Sequence, residues 1–212
     1  MINLAQQIIN NKLTKVTLER FETIIRHRDT IESLDGDIIE CGVWKGGMGI
    51  FLRKMFTNKR LWLADSFSGF QDPNKAKYNF SGERHKLGGM TVPYNDVINA
   101  FKNIGINPNN INFLVGYVND TLPKADIQRL SLLRVDVDAY SATIEVLENL
   151  YDKVVPGGYI IFDDTCLIET RHAINDFFTL RRIDIKLRHP VTDEIIEFKL
   201  NDMPCGCYII KE

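Results

Sequence analysis

The chain has 212 residues, of which 44% are apolar and 25% charged, and 26 Lys and Arg face 28 Asp and Glu for a net charge of −2. These are the proportions of a soluble globular domain, and they exclude a disordered chain, a collagen and a coiled coil. The charge is balanced and has no long run of one sign, which argues against a nucleic-acid partner or an anionic membrane surface. The first 35 residues read as helices, with Leu18, Phe21, Ile24 and Ile25 on one face. Asp37 to Gly42 is a short apolar strand running into glycines, and Ile50, Phe51, Met55 and Phe56 mark a helix after them. Leu61 to Asp65 is a second strand ending in an acid. Residues 68–93 are polar and aperiodic, longer than a routine connection, and are expected to form a lid or binding loop.

Helical spacing returns at 94–104, where Val97, Ile98 and Phe101 form the stripe. Ile111 to Gly116 and Leu132 to Asp136 read as strands, Ser141 to Tyr151 as a helix, and Pro156-Gly157-Gly158 as a turn. Tyr159 to Asp164 is a strand ending in two acids, followed by a helix over 169–181. Ile195 to Leu200 and Cys207 to Lys211 are expected as a final antiparallel pair at the sheet edge. Strands alternating with helices predict an α/β fold with a mostly parallel sheet and helices on both faces. One domain, 1–212, is expected. No apolar run approaches the ~20 residues that span a bilayer. Met1 to Lys15 has no signal-peptide core, so the expected location is cytoplasmic. Cys41, Cys166, Cys205 and Cys207 have the spacing of neither a disulfide scaffold nor a paired Cys-x-x-Cys zinc site, and the last two read as strand residues.

Ligands of parallel sheets sit beyond the carboxyl ends of the strands. Four such ends carry functional groups: Glu40 with its glycines, Asp65, Asp136, and Asp163-Asp164. The segment Glu40-Cys-Gly42-Val-Trp44-Lys-Gly46-Gly47 is no Gly-x-Gly-x-x-Gly turn, because Trp44 fills the second glycine position, and no P-loop. A carboxylate before the glycines is repelled by a pyrophosphate and attracted by a cationic ligand. S-adenosylmethionine, with its ammonium and sulfonium, is such a ligand. The competing reading is a strand-to-helix turn with a surface Glu. Asp65 fits a ribose-binding acid or a helix cap. Asp136-Val-Asp138 and Asp163-Asp164, at the ends of two strands, would repel without a cation among them. Oxygen ligands of this kind suit Mg²⁺, Mn²⁺ or Ca²⁺. Separate solvated acids are the alternative. Asp120-Thr-Leu-Pro123 reads either as a cap and turn or as part of an adenine pocket. His172 follows the paired acids and is either a second candidate base or an ordinary helix residue; His85, in the loop, reads as solvated.

Six segments in register resemble the macrocin O-methyltransferase family: Gly36 to Gly47, Ala64 to Gly69, Gly116 to Pro123, Leu133 to Tyr140, Leu147 to Tyr151 and Pro156 to Asp164. The resemblance implies a class I methyltransferase fold and an O-methyltransferase that uses S-adenosylmethionine and Mg²⁺. It implies a sugar hydroxyl of a small-molecule natural product as acceptor, and a homo-oligomer. Carried over by position, Glu40, Gly42, Asp65 and Ser66 would contact the cofactor. Asp136, Asp163 and Asp164 would hold the metal, and Asp138 would act as general base. If the strand continued through both acids, Asp136 and Asp138 would share a side. A phenol or catechol acceptor would suit the same site. A nicotinamide-dependent oxidoreductase would need the missing glycine pattern, and a non-catalytic binding protein would be expected to lose the metal acids.

Overall fold

The structure, a computed structural model, describes residues 1–78, 80–81 and 86–212. Three helices open the chain: α1 (Ile2–Asn10), α2 (Leu18–Arg26) and α3 (Arg28–Ser33). Then β1 (Asp37–Cys41), α4 (Gly47–Met55), β2 (Leu61–Asp65), α5 (Tyr94–Asn103), β3 (Asn112–Val115) and the short α6 (Val118–Thr121) follow. The second half holds β4 (Leu130–Val135), α7 (Tyr140–Leu150), β5 (Val154–Phe162), α8 (Ile168–Arg181), β6 (Leu187–Arg188), β7 (Ile195–Ile196) and β8 (Tyr208–Ile210). The eight strands form one sheet in the order β3-β2-β1-β4-β5-β8-β6-β7. The first five are parallel, and the last three add antiparallel at one edge. This is the expected α/β architecture.

Strand parity sorts the side chains. Ile38, Leu132, Tyr159 and Ile161 pack on one face with Phe21, Ile24, Phe51 and Phe101, so α2, α4 and α5 cover that side. Ile39, Leu133, Ile160 and Phe162 pack on the other with Leu147, Leu150, Phe177 and Phe178 of α7 and α8. Alternation then assigns Glu40 and Arg134 to the α2 face. The register of β1 on β4 sets these two side by side. Charged residues rarely sit inside strands covered on both faces unless they are paired, and here each is the other's partner.

Three expectations are corrected. Pro156-Gly157-Gly158 is no turn between elements but lies within β5 as a bulge. The pairing jumps from Leu130–Val154 to Leu132–Tyr159, and Gly157 takes the excess with φ +79° while its N–H bonds Lys211 O. The final strands also differ. β7 is two residues long and pairs with the unexpected β6, which separates it from β8. Beyond β7 the carbonyls of Leu200 and Asn201 accept from the Arg171 guanidinium, at 2.6 and 3.3 Å, instead of from a strand. Cys205 is not a strand residue; it forms a disulfide with Cys166, with 4.6 Å between the Cα atoms, while Cys41 and Cys207 are buried thiols.

The 68–93 loop is closed at its base, where Phe70 N–H bonds Gly89 O and Gly88 N–H bonds Phe70 O. Within it Tyr78 N–H donates to Ser141 Oγ and Lys77 Nζ lies 2.7 Å from Glu148, so the loop rests along α7 from its first turn to its last. His85 lies outside the described residues. No helix among the described residues is long and apolar enough to cross a membrane.

The loops after β1 and β4 touch. Gly42 has φ +90°, and a Cβ there would stand 1.7 Å from Asp136 O. Gly42→Ala is therefore expected to destabilise the protein by more than ~2 kcal/mol, since both the conformation and the space refuse a side chain. A urea titration against wild type is the check; an unchanged midpoint would contradict this packing.

Candidate active site

A cavity of about 480 Å³ opens at the carboxyl edge of β1, β2, β4 and β5. The loops after these strands supply Glu40, Gly42, Trp44, Asp65, Ser66, Asp136, Asp138, Asp163 and Asp164 to its wall. Of the cofactor and metal candidates, only Asp120 does not line it. Asp120 lies on α6 in a shallow surface depression, and Tyr117 and Val118 occupy the cavity wall instead. His172 is also outside the wall, with its ring 4.9 Å from Phe80.

Left-handed backbone beside the cavity is taken by non-glycine residues as well as by Gly42 and Gly69. Trp44, Phe67 and Asp138 have φ +49°, +55° and +57°, each just past a strand end. Trp44 thus adopts a conformation that glycine tolerates best. Asp65 holds that loop in place. One of its oxygens accepts from the N–H groups of Val43 and Trp44 at 2.7 and 2.9 Å, and the other from Phe67 N–H at 2.7 Å. A carboxylate has about four acceptor positions, so Asp65 retains capacity for a hydroxyl. Ser66 Oγ donates to Gly69 O at the start of the lid.

The deepest part of the cavity is ionic. Arg134, 1% exposed, donates from Nη1 to Glu40 at 2.7 Å and Asp136 at 2.6 Å, and from Nη2 to Asp163 at 2.7 Å. Arg20 of α2 brings its Nε to 3.4 Å from the same Asp163 oxygen. The second oxygen of Glu40 is buried and has no hydrogen-bond partner. Asp136, Asp163 and Asp164 each offer an oxygen within 4.8 Å of the others. Burial pushes the Glu40 carboxyl up to about 8 against the pull of Arg134. It likewise pushes Asp136 up to about 7, with Arg134 again opposing, and Asp164 well above the usual carboxylate range, aided by Asp136, Asp138 and Asp163.

Asp138 is not in strand geometry, which corrects the expectation that it shares a side with Asp136 through a continuing strand. β4 stops at Val135. Asp138 sits at the centre of a three-residue turn closed by Ala139 N–H on Val137 O. Its own N–H donates to Asp164 Oδ2 at 3.1 Å, so the turn is braced by a neighbouring acid. Strain of this kind is held by surrounding contacts and concentrates at functional sites.

These donors fit a hard divalent cation, which prefers carboxylate oxygens. The unpartnered Glu40 oxygen fits an ammonium. Sequence reading missed Arg134 and Arg20. The available signal for Arg134 was a lone cation inside an otherwise apolar strand, Leu130 to Val135.

The macrocin-O-methyltransferase (TylF) family profile matches residues 10–194. The chain belongs to this family. It is 34% identical over 174 residues to the 8-demethyl-8-(2,3-dimethoxy-alpha-L-rhamnosyl)-tetracenomycin-C 4'-O-methyltransferase of Streptomyces olivaceus, covering 77% of this chain and 67% of that one. It is 33% identical over 177 residues to the mycinamicin III 3''-O-methyltransferase of Micromonospora griseorubida, covering 78% and 66%. The chain thus spans about two thirds of the length of these relatives. The solved O-methyltransferase NovP superposes with a TM-score of 0.79 at 30% identity, over 93% of this chain and 81% of that one. The protein is accordingly a methyltransferase of the O-methylating, S-adenosylmethionine-dependent kind.

The Glu40 shift gives a pH test. Its carboxyl ionises near its ordinary 4.5 in the unfolded chain and near 8 in the fold. Between those values the folded state binds more protons, so stability falls as pH rises. The melting temperature of the ligand-free methyltransferase is expected to drop between about pH 5 and about pH 8, and Glu40→Gln to flatten part of that slope. Thermal scans of both proteins at the two pH values check it; parallel slopes would refute it.

Proposed function

We propose that this methyltransferase transfers the methyl group of S-adenosylmethionine to a sugar hydroxyl of a small natural product, with a Mg²⁺ ion held by Asp136, Asp163 and Asp164. The observation that carries this reading is the meeting, in one cavity, of three close carboxylates and an unpartnered Glu40 oxygen. The sugar acceptor is supported by the name of the Streptomyces olivaceus relative, which methylates a rhamnosyl-tetracenomycin.

The ionic balance supports two bound cations. Arg20 and Arg134 face five acids: Glu40, Asp136, Asp138, Asp163 and Asp164. Like charges this close stay ionised only with further positive charge among them. Glu40 would take the ammonium of the methyl donor, and Asp65, already anchoring the loop beneath, would accept from a ribose hydroxyl. Tyr117 and Val118 would border the adenine. When bound, the metal supplies Lewis-acid polarisation of the acceptor hydroxyl and S-adenosylmethionine supplies an electrophilic methyl.

The chain's own residues then have two tasks. The first is alignment. Methyl transfer is an in-line displacement, and holding the acceptor oxygen opposite the leaving sulfur supplies much of the rate. The loop residues Phe70, Tyr78 and Phe80 line the acceptor end of the cavity and give a sugar ring apolar surfaces to lie on. The second task is proton removal. Asp138 is the base in this reading, because its turn holds it beside Asp164 at the cavity wall while Asp136 is committed to Arg134. His172, outside the wall, is not used.

Two measurements test the proposal. S-adenosylhomocysteine should raise the melting temperature and NAD should not, since only a ligand of the native state stabilises it. Activity on a competent glycoside should vanish with EDTA and return with Mg²⁺; full turnover by metal-stripped protein would remove the metal from the scheme. The two acids should then separate kinetically. Asn tolerates the positive φ at position 138, so Asp138→Asn leaves the turn intact and should lower kcat by ~10²–10⁴-fold at unchanged Mg²⁺ affinity. Asp136→Asn should instead show its defect in the Mg²⁺ requirement. An Asp138→Asn enzyme with normal kcat at saturating Mg²⁺ would end the assignment of the base.

A further inference from the structure

Arg134 enters the scheme above only as a positive charge and a partner of Asp136, yet it is the largest fully buried side chain among the described residues. Its guanidinium reaches three carboxylates that come from three neighbouring strands: Glu40 from β1, Asp136 after β4, and Asp163 after β5. In the reading proposed above, Glu40 serves the methyl donor and the two aspartates serve the metal. Arg134 bonds all three.

We infer that Arg134 is a positioning residue that sets the cofactor carboxylate and two metal carboxylates at once, so that both binding sites depend on one planar fork. This inference rests on the proposed assignment of those acids. Three observations carry it. First, each acid gives Arg134 one oxygen, at 2.6–2.7 Å, and so keeps its other oxygen for a ligand. For Glu40 that other oxygen is the buried, unpartnered one. Second, strand parity fixes the fork: Arg134 and Glu40 are register partners on the same face of β1 and β4. Third, a buried ion network is weak evidence for stability, because desolvation offsets the attraction. Apolar residues in place of the whole network would serve the core as well.

The geometry needs Arg and not merely a positive charge. A guanidinium presents five donors in a rigid plane, whereas an ammonium is a point charge on a flexible stem. Lysine at this position keeps the charge but cannot hold three carboxylates in fixed directions. The competing role is neutralisation alone, in which any cation would do.

The test uses the full chain and two probes that need no turnover. Mn²⁺ affinity is read by electron paramagnetic resonance, and S-adenosylhomocysteine affinity by titration calorimetry, both well below the melting temperature. Arg134→Lys is expected to weaken Mn²⁺ binding about 10–100-fold, as loss of an outer partner of metal ligands does, and to weaken S-adenosylhomocysteine binding in the same variant. Unchanged affinity for either probe would overturn the inference and leave charge neutralisation in its place. If Arg134→Lys does not fold, Glu40→Gln probes the fork from the cofactor side. Glu40 is not among the three clustered acids, yet its loss should weaken Mn²⁺ at least about threefold through Arg134; no change would overturn the inference. A wild-type protein that binds neither probe would instead remove the assignment of the site itself.

Discussion

One guanidinium buried among carboxylates organises the centre of this molecule. Arg134 is buried on the face of the sheet that α2 covers. Removing a charge from water is costly, and the cost is recovered only when hydrogen bonds saturate it. Glu40, Asp136 and Asp163 supply those bonds, and in doing so their side chains turn toward one point. The acids that converge there are more numerous than the cations. Burial, with the neighbouring like charges adding to it, pushes the carboxyls of Glu40, Asp136 and Asp164 up. A site with surplus carboxylate, held apart from solvent, is built for positive ligands.

The backbone around the site is arranged to bring such ligands close. Gly42 passes against Asp136 O with no space for a side chain, so the loops after β1 and β4 form one floor. Trp44, Phe67 and Asp138 accept strained conformations at three strand ends. Asp65 repays part of that strain by taking three backbone N–H groups. The same residue anchors the loop and keeps one acceptor position open. Above this floor the 68–93 loop is tied to itself at Phe70 and Gly89 and to α7 through Ser141 and Glu148. Phe80 adds a ring contact to Tyr140 at the start of α7.

The C-terminal side of the site is fastened differently. The turn after β5 carries Asp163 and Asp164, and it is joined to the turn before β8 by the Cys166–Cys205 bond. Gly206 N–H adds a bond to Asp163 O, and Cys207 N–H one to Thr165 Oγ1. Arg171 spends its guanidinium on Thr165 O, Leu200 O and Asn201 O. These ties explain why the region after β7 does not extend into a strand.

Much of the fold was legible in the sequence because its signals are local. Apolar runs ending in acids gave the parallel strands, and helical spacing gave α2, α5, α7 and α8. The alternation of the two gave the sheet, and with it the common edge on which Glu40, Asp65, Asp136 and Asp163-Asp164 open. The six family segments gave the methyl-transfer class. Tertiary structure decided the rest, for a physical reason: pairing partners distant in sequence leave no local trace. The register of β1 on β4 set Arg134 against Glu40, which parity alone within either strand does not reveal. A two-residue strand such as β6 is too short to show a period. The bulge at Gly157, the Cys166–Cys205 pair and the exclusion of Asp120 from the cavity each depend on which loops meet in space. Asp138 shows the division most sharply. Its carboxylate was visible at once, but whether it continued the strand or left it was settled by Val137, Ala139 and Asp164 closing a turn around it.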